Sequence, residues 1–223
     1  MRSLRIAFVA EGARDLQVIP VLIERLIAVA QPAPALRLSI DRQRWNTRRP
    51  FNAALVEVVT QAAFQSDLLV CHVDADAGDD QRVRQYKIDP GITQVTTACP
   101  QTLPIVWAVP VHAIEAWLLT DPEHFAEAIG ATRRHVPMFP RHPDRIHRHE
   151  AKALFDRTIV DLLAKTQRQR RRLRPDLFAE LVARESALPQ LRRLPAFQSF
   201  EGDLMRTLVA LGCHFTNLSE EVA

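Results

Sequence analysis

The sequence predicts an α/β fold: a parallel sheet flanked by helices, followed by a C-terminal helical extension. Three observations carry this. Four short apolar runs, at 4–10, 36–41, 67–74 and 104–111, alternate with segments of helical period through the first half of the chain. From about residue 113 the period is helical throughout. Proline-rich breaks at 137–143, Pro175, Pro189 and Pro195 then divide this second half into separate helices.

The first run, LRIAFVA (4–10), is short and apolar and stops at Glu11-Gly12, the pattern of a buried strand giving way to a loop. Residues 15–30 place Val18, Leu22, Ile23, Leu26 and Ile27 at helical spacing, with Pro20 as an irregularity. A weaker strand at 36–41 leads into a basic loop holding Arg42, Arg44, Arg48 and Arg49, and a helix follows from Phe51 to Phe64. The third strand, DLLVCHVD, runs from Asp67 to Asp74. A polar segment at 77–87, a short helix near 91–99 and the strand PIVWAVPV (104–111) complete the alternating part. Helices are expected at about 113–129, 150–165, 175–186 and 200–212. The boundary near 130–145 separates an α/β core, residues 1–135, from a basic helical extension, 136–223, packed on it.

The composition, 47% hydrophobic and 25% charged over 223 residues, is that of a globular chain with enough apolar material for one sizeable core. No apolar run approaches the roughly 20 residues of a membrane span. The start, MRSLRIAFVAEG, enters a strand pattern without a cleavable apolar signal, so a cytoplasmic protein that makes no membrane contact is expected. Cys71, Cys99 and Cys213 have no CxxC spacing and read as reduced, buried thiols. The net charge of +3 is unevenly spread: residues 1–140 carry 14 Lys/Arg and 15 Asp/Glu, residues 141–193 carry 14 and 7. Acidic chemistry and basic surface are separated along the chain.

Ligands of an open parallel sheet bind beyond the carboxyl ends of its strands. Glu11 ends the first strand, Asp74 ends the third, and Asp76 lies two residues further on, on the same side of an extended chain. If the first and third strands are neighbours, these carboxylates share one rim. Three clustered carboxylates repel unless a cation neutralises them, and hard oxygen donors suit Mg2+ or Mn2+. The bland alternative is that strand-terminal aspartates cap the following helix.

The segments VAEGARDLQVIPVLIERL, LLVCHVDADAGDD and VPVHAIEAWLLTD resemble the Toprim superfamily, and within it the small stand-alone Toprim-like proteins classed as domain of unknown function 4276. The resemblance covers roughly residues 4–125, with a fainter match in LPQLRRLPAFQSFEGDL. It implies a Rossmannoid sheet and a metal site in which Glu11 acts near the scissile bond while Asp74 and Asp76 hold Mg2+.

Among Toprim activities, a topoisomerase needs a tyrosine nucleophile, and the single tyrosine, Tyr86, sits in a polar insertion with no second domain to present it. A primase needs a zinc module that three scattered cysteines do not supply. The remaining expectation is a Mg2+-dependent nuclease that hydrolyses nucleic-acid phosphodiesters. Related stand-alone Toprim proteins resemble nuclease effectors of bacterial anti-phage (antiviral) defence. These are linked to ABC-type ATPases, and this chain has no GxxxxGK loop of its own, so the ATPase is expected as a separate chain. Two other readings are a non-catalytic subunit that keeps the acidic pocket while binding nucleic acid or the ATPase, and a nucleotide-sugar transferase using DxD. The early Glu-Gly and the basic tail disfavour the transferase. Oligomeric state is left open, a homo-oligomer included.

Glu115, directly after the fourth strand, is a candidate catalytic acid at the same rim, or a helix N-terminal charge that complements the dipole. Asp79, Asp80 and Asp121 are weaker candidates, since loop aspartates commonly cap helices. His112 is either a phosphate donor or a packing residue. His142, His147, His149 and Glu150 lack a fixed i, i+4 pair and read as part of a basic loop. The run KTQRQRRRLR (165–174) holds six cations and no acid. Its Arg168, Arg170, Arg171 and Arg172, with Arg14, are the expected nucleic-acid contacts, with Arg42, Arg44, Arg48 and Arg49 as alternatives. Trp45 is either a base-stacking or a buried residue.

Overall fold

The computed structural model describes residues 2–75, 80–101, 103–131, 137–164 and 172–217. Four parallel strands, β1 (Arg2–Ala10), β2 (Leu36–Arg44), β3 (Leu68–His72) and β4 (Ile105–Ala108), form one sheet in the order β2-β1-β3-β4. The α/β architecture expected from the sequence is present, and β1 and β3 are neighbours.

The two inner strands, β1 and β3, and the edge strand β4 are largely apolar on both faces because both faces are covered. Leu4, Ile6, Phe8 and Ala10 of β1, with Leu68, Val70, Val106 and Ala108, join one core; Ala7, Val9, Leu69, Cys71, Trp107 and Val109 join the other. This period of two, with neither set polar, is what a doubly covered parallel sheet requires.

Helix α1 (Asp15–Ala30) covers the first face through Val18, Ile19, Leu22, Ile23, Leu26 and Ile27. Pro20 sits inside it, and the carbonyl that loses its i+4 partner there, that of Leu16, accepts a hydrogen bond from Arg42 Nη1 at 3.3 Å. Helix α2 (Phe51–Ala62) covers the second face through Ala54, Leu55, Val58, Val59 and Ala62. Beside it packs α3 (Asp89–Ala98), reached through a helical turn at Gln81–Val83 and a π-helical stretch at Arg84–Ile88.

The second half supplies α4 (Ile114–Leu118), α5 (Pro122–Ala128), α6 (Arg148–Leu163), α7 (Ala179–Glu185), α8 (Leu188–Leu191) and α9 (Pro195–Ala210). Their apolar faces enter the core of the first face: Trp117, Phe125, Phe155, Val182, Phe197, Phe200 and Leu204 form one continuous cluster with β1 and α1. Trp117 meets Phe197 edge-on at 5.2 Å. Helix α9 opens on Pro195, whose missing N–H costs nothing in the first turn, and packs against β4.

Three expectations need correction. Strand β2 runs on to Arg44, so Arg42 and Arg44 lie in a strand and not in a loop. Helical backbone begins at Gln81, ten residues before the expected start. The helix expected over 113–129 is broken between Leu118 and Pro122, where Asp121 starts a new helix by accepting the His124 N–H at 3.1 Å. All three cysteines are unpaired and buried. Among the described residues no helix is long and apolar enough to cross a membrane.

Candidate functional site

Strands β1 and β3 run side by side with Val9 opposite Cys71, so the chain leaves both at one rim. Glu11 follows the last residue of β1, and Asp74 stands two residues beyond the end of β3. Asp76 and Asp79 lie outside the described residues. A fully buried histidine, His72, stands between the acids. Its Nδ1 is 3.4 Å from Asp15 Oδ2 and its Nε2 is 3.3 Å from Asp74 Oδ1, contacts of ion-pair length without hydrogen-bond geometry. Burial works against a charged imidazole, but Asp15, Asp74 and Glu11 together outweigh it and hold its pKa above the ordinary value.

Local structure explains how the acids reach this ring. Gly12 donates its N–H to Asp15 Oδ2 at 2.9 Å, and a Cβ at position 12 would stand 2.7 Å from that oxygen. A side chain at position 12 would push the Asp15 carboxylate off this bond. Trp45, buried after β2, donates Nε1–H to the His72 carbonyl at 2.9 Å. That places Trp45 in the wall of the site and not on a base-stacking surface. Two cations face the acids from outside: Arg148 Nη2 lies 3.3 Å from Asp74 Oδ2, and Lys87 Nζ lies 3.3 Å from Glu11 Oε1 while resting over the Phe51 ring. Arg148 belongs to α6, so the helical extension reaches the rim directly.

Arg14 and Glu115 occupy a different position from the one expected. Each is 6% exposed, and they form the buried centre of a network. Arg14 Nη1 donates to Glu115 Oε1 at 2.5 Å, Nη2 donates to Asp156 at 2.8 Å and to Asp176, and the guanidinium lies over Phe155. Burial opposes the Arg14 charge, but Glu115, Asp156 and Asp176 more than offset it. Buried and bonded through Nη1 and Nη2 to three carboxylates, Arg14 is not presented to a phosphate backbone. Burial raises the pKa of Glu115, with Arg14 acting in the opposite direction.

The remaining candidates separate. Asp121 caps α5, and Asp80 pairs with Arg84 at 2.5 Å. His112 stacks on His147, which stacks on His149. His142 lines an open cavity of about 300 Å³ with Arg141 and Arg193. Arg172 is exposed, while Arg168, Arg170 and Arg171 lie outside the described residues. Among the described residues no three His, Cys, Asp or Glu side chains converge as a metal-ligand set. In donor type the described acids suit a hard cation, but Asp74 Oδ1 faces His72 Nε2 and Asp74 Oδ2 faces Arg148, each at 3.3 Å, so a cation would have to displace the guanidinium to reach this carboxylate.

A family model described as "Domain of unknown function (DUF4276)" matches residues 11–205. The chain belongs to the DUF4276 family. The match opens on Glu11 and runs into α9, so the DUF4276 unit takes in the acidic rim, the Arg14 network and most of the helical extension. No curated protein and no solved structure matches the chain.

In this DUF4276 protein the residues that sequence reasoning passed over are His72, Asp15, Lys87 and Arg148. His72 carried a signal: it is the one polar residue inside LLVCHV, where a polar side chain must find partners or face a cleft. Lys87 and Arg148 carried none, since they reach the rim from parts of the chain far from the strand ends.

Proposed function

We propose that this protein is a Toprim-type nuclease, dependent on Mg2+ or Mn2+, that hydrolyses nucleic-acid phosphodiesters. On this reading it is the effector subunit of an ATPase-linked bacterial anti-phage defence system and works with a separate ABC-type ATPase. The observation that carries the reading is the placement of Glu11 and Asp74 beyond the carboxyl ends of adjacent parallel strands, at one rim. Asp74 and Asp76 would hold the cation, whose chemistry is to polarise a phosphoryl oxygen and offset the developing charge.

The chain's own residues supply the rest. Glu11, at 38% side-chain exposure, is placed to accept a proton from an attacking water. Lys87 and Arg148 bring positive charge to the rim, where a phosphate oxygen can take over either ammonium or guanidinium from its carboxylate. His72 and Asp15 sit behind Asp74 and limit its movement. The test is metal-dependent cleavage of single- and double-stranded DNA and of RNA, with and without the ATPase. Cleavage that survives Asp74→Ala removes this assignment.

A specific observation favours a second reading, a non-catalytic subunit that binds nucleic acid or the ATPase. Lys87 and Arg148 already face Glu11 and Asp74, so the protein carries cations of its own at the rim. In that case divalent metal leaves the protein's stability and its binding unchanged.

A further inference from the structure

Strand β2 is the open edge of the sheet, nine residues long, and among the described residues no strand pairs with its outer side. Long open edges are a template for further pairing unless they are shortened, covered or bulged. The opposite edge, β4, has four residues and α9 packed against it. The direction of each β2 backbone group follows from its ladder with β1. Arg2 donates to the Ala35 carbonyl and Trp45 donates to the Ala10 carbonyl. These bonds direct the odd-numbered residues of β2 toward β1. The N–H and C=O groups of Leu36, Leu38, Ile40, Arg42 and Arg44 therefore point outward.

We infer that this edge is a homodimer interface, on which β2 of a second copy of this chain pairs antiparallel about Ser39. That register places Leu38 opposite Ile40 and Leu36 opposite Arg42 of the second copy, so that outward-pointing residues meet outward-pointing residues, as antiparallel hydrogen-bonded pairs require. The alternate positions, where side chains approach most closely, then bring Arg37 opposite Asp41 of the second copy and Asp41 opposite its Arg37, with Ser39 facing Ser39 on the two-fold axis. Arg37, Ser39 and Asp41 are exposed; Arg37 has no ion-pair partner among the described residues, and Asp41 only accepts from Gln43 Nε2. Moving the centre to Ile40 sets Arg37 against Gln43, moving it to Leu38 sets Arg37 against Ser39, and both lose the two opposite-charge pairs. A shift that sets even against odd positions forfeits the backbone bonds. No like charges face each other in the favoured register, because Arg42 and Arg44 fall opposite Leu36 and Pro34. Leu38 and Ile40, half-buried against the core under α1, extend that core across the axis. The contact is isologous and closes at two copies, giving a continuous eight-stranded sheet.

The experiment uses the full chain. Sedimentation equilibrium should give a dimer. Arg37→Asp and Asp41→Arg should each weaken it by roughly tenfold or more, since each sets like charges opposite twice, and the doubly exchanged chain should recover. Circular dichroism keeps loss of association apart from loss of fold. Independently, Ser39→Cys should form an intermolecular disulfide with oxidised glutathione, because facing residues at such positions have Cα atoms about 4.5 Å apart. Gln43→Cys, on the same strand but far from its own copy in this register, should not, and the native cysteines are buried. A monomer overturns the inference. So does a dimer that resists both charge changes or fails to cross-link through residue 39.

Discussion

Arg14 and Glu115, 101 residues apart in sequence, are joined by a 2.5 Å hydrogen bond sealed from solvent. Arg14 stands in the loop between β1 and α1 and Glu115 in α4, and through Asp156 and Asp176 the same guanidinium reaches α6 and the turn before α7. One side chain thus ties the loop that carries Glu11 to the helical extension. Removing it leaves Glu115 buried and unpaired. Arg14→Ala is expected to cost about 3 kcal/mol or more. Urea unfolding checks this, and a loss below about 1 kcal/mol would mean that the pair is ordinary surface electrostatics.

The Glu115 carboxyl gives a pH signature. Burial, acting against Arg14, raises its folded-state pKa above the ordinary 4.5. The folded state therefore holds this proton more tightly than the unfolded state, and the stability so contributed is complete below pH 4.5 and lost as pH rises through the raised value. Wild type should lose stability relative to Glu115→Gln across that window. A difference in Tm that is flat with pH contradicts the direction.

Gly12→Ala puts a methyl where Asp15 now turns back. Either the loop or the Asp15 carboxylate must move, and because the obstructing atom is a side-chain terminus the cost is about 1 kcal/mol. Asp15→Ala removes the obstructing oxygen, so the double variant should lose clearly less than the two single losses combined. Strict additivity would show that the contact does not limit position 12.

The expected metal leaves a thermodynamic mark independent of turnover. Mg2+ or Mn2+ at about a hundred times its Kd should add roughly 2.7 kcal/mol of stability. In Asp74→Ala the gain should vanish. A metal-induced rise in Tm that is the same in both proteins would place the cation elsewhere.

The sheet was legible in sequence where burial is two-sided: apart from Arg5 and His72, LRIAFVA and LLVCH are apolar on both faces, as a covered strand requires. β2 was read short because an edge strand need not be apolar; Arg42 and Arg44 look like loop residues until the ladder to β1 is seen. The turn before α3 was missed because only Val83 and Ile88 of its residues are buried, too few to set a period. Strand-end logic located Glu11 and Asp74. It misplaced Arg14, whose partners come from residues 115, 156 and 176, and a basic residue in a loop gives no local sign of burial. His72 was legible as the one polar residue inside LLVCHV, but its partners, Asp15 and Asp74, were not.

The account rests on Glu11 acting in chemistry and not in folding. It follows β1 at a loop, partly exposed and held by Lys87, so that replacing it leaves no apolar cavity and removes one carboxylate from a crowded rim. The measurement is Mg2+-dependent cleavage of DNA and RNA by wild type and Glu11→Gln, each assayed with the proposed ATPase partner present. Glu11→Gln should remain folded, keep its affinity for nucleic acid and lose cleavage by about a hundredfold or more. Equal cleavage by the two proteins, or no cleavage by wild type with its ATPase present, would contradict the account.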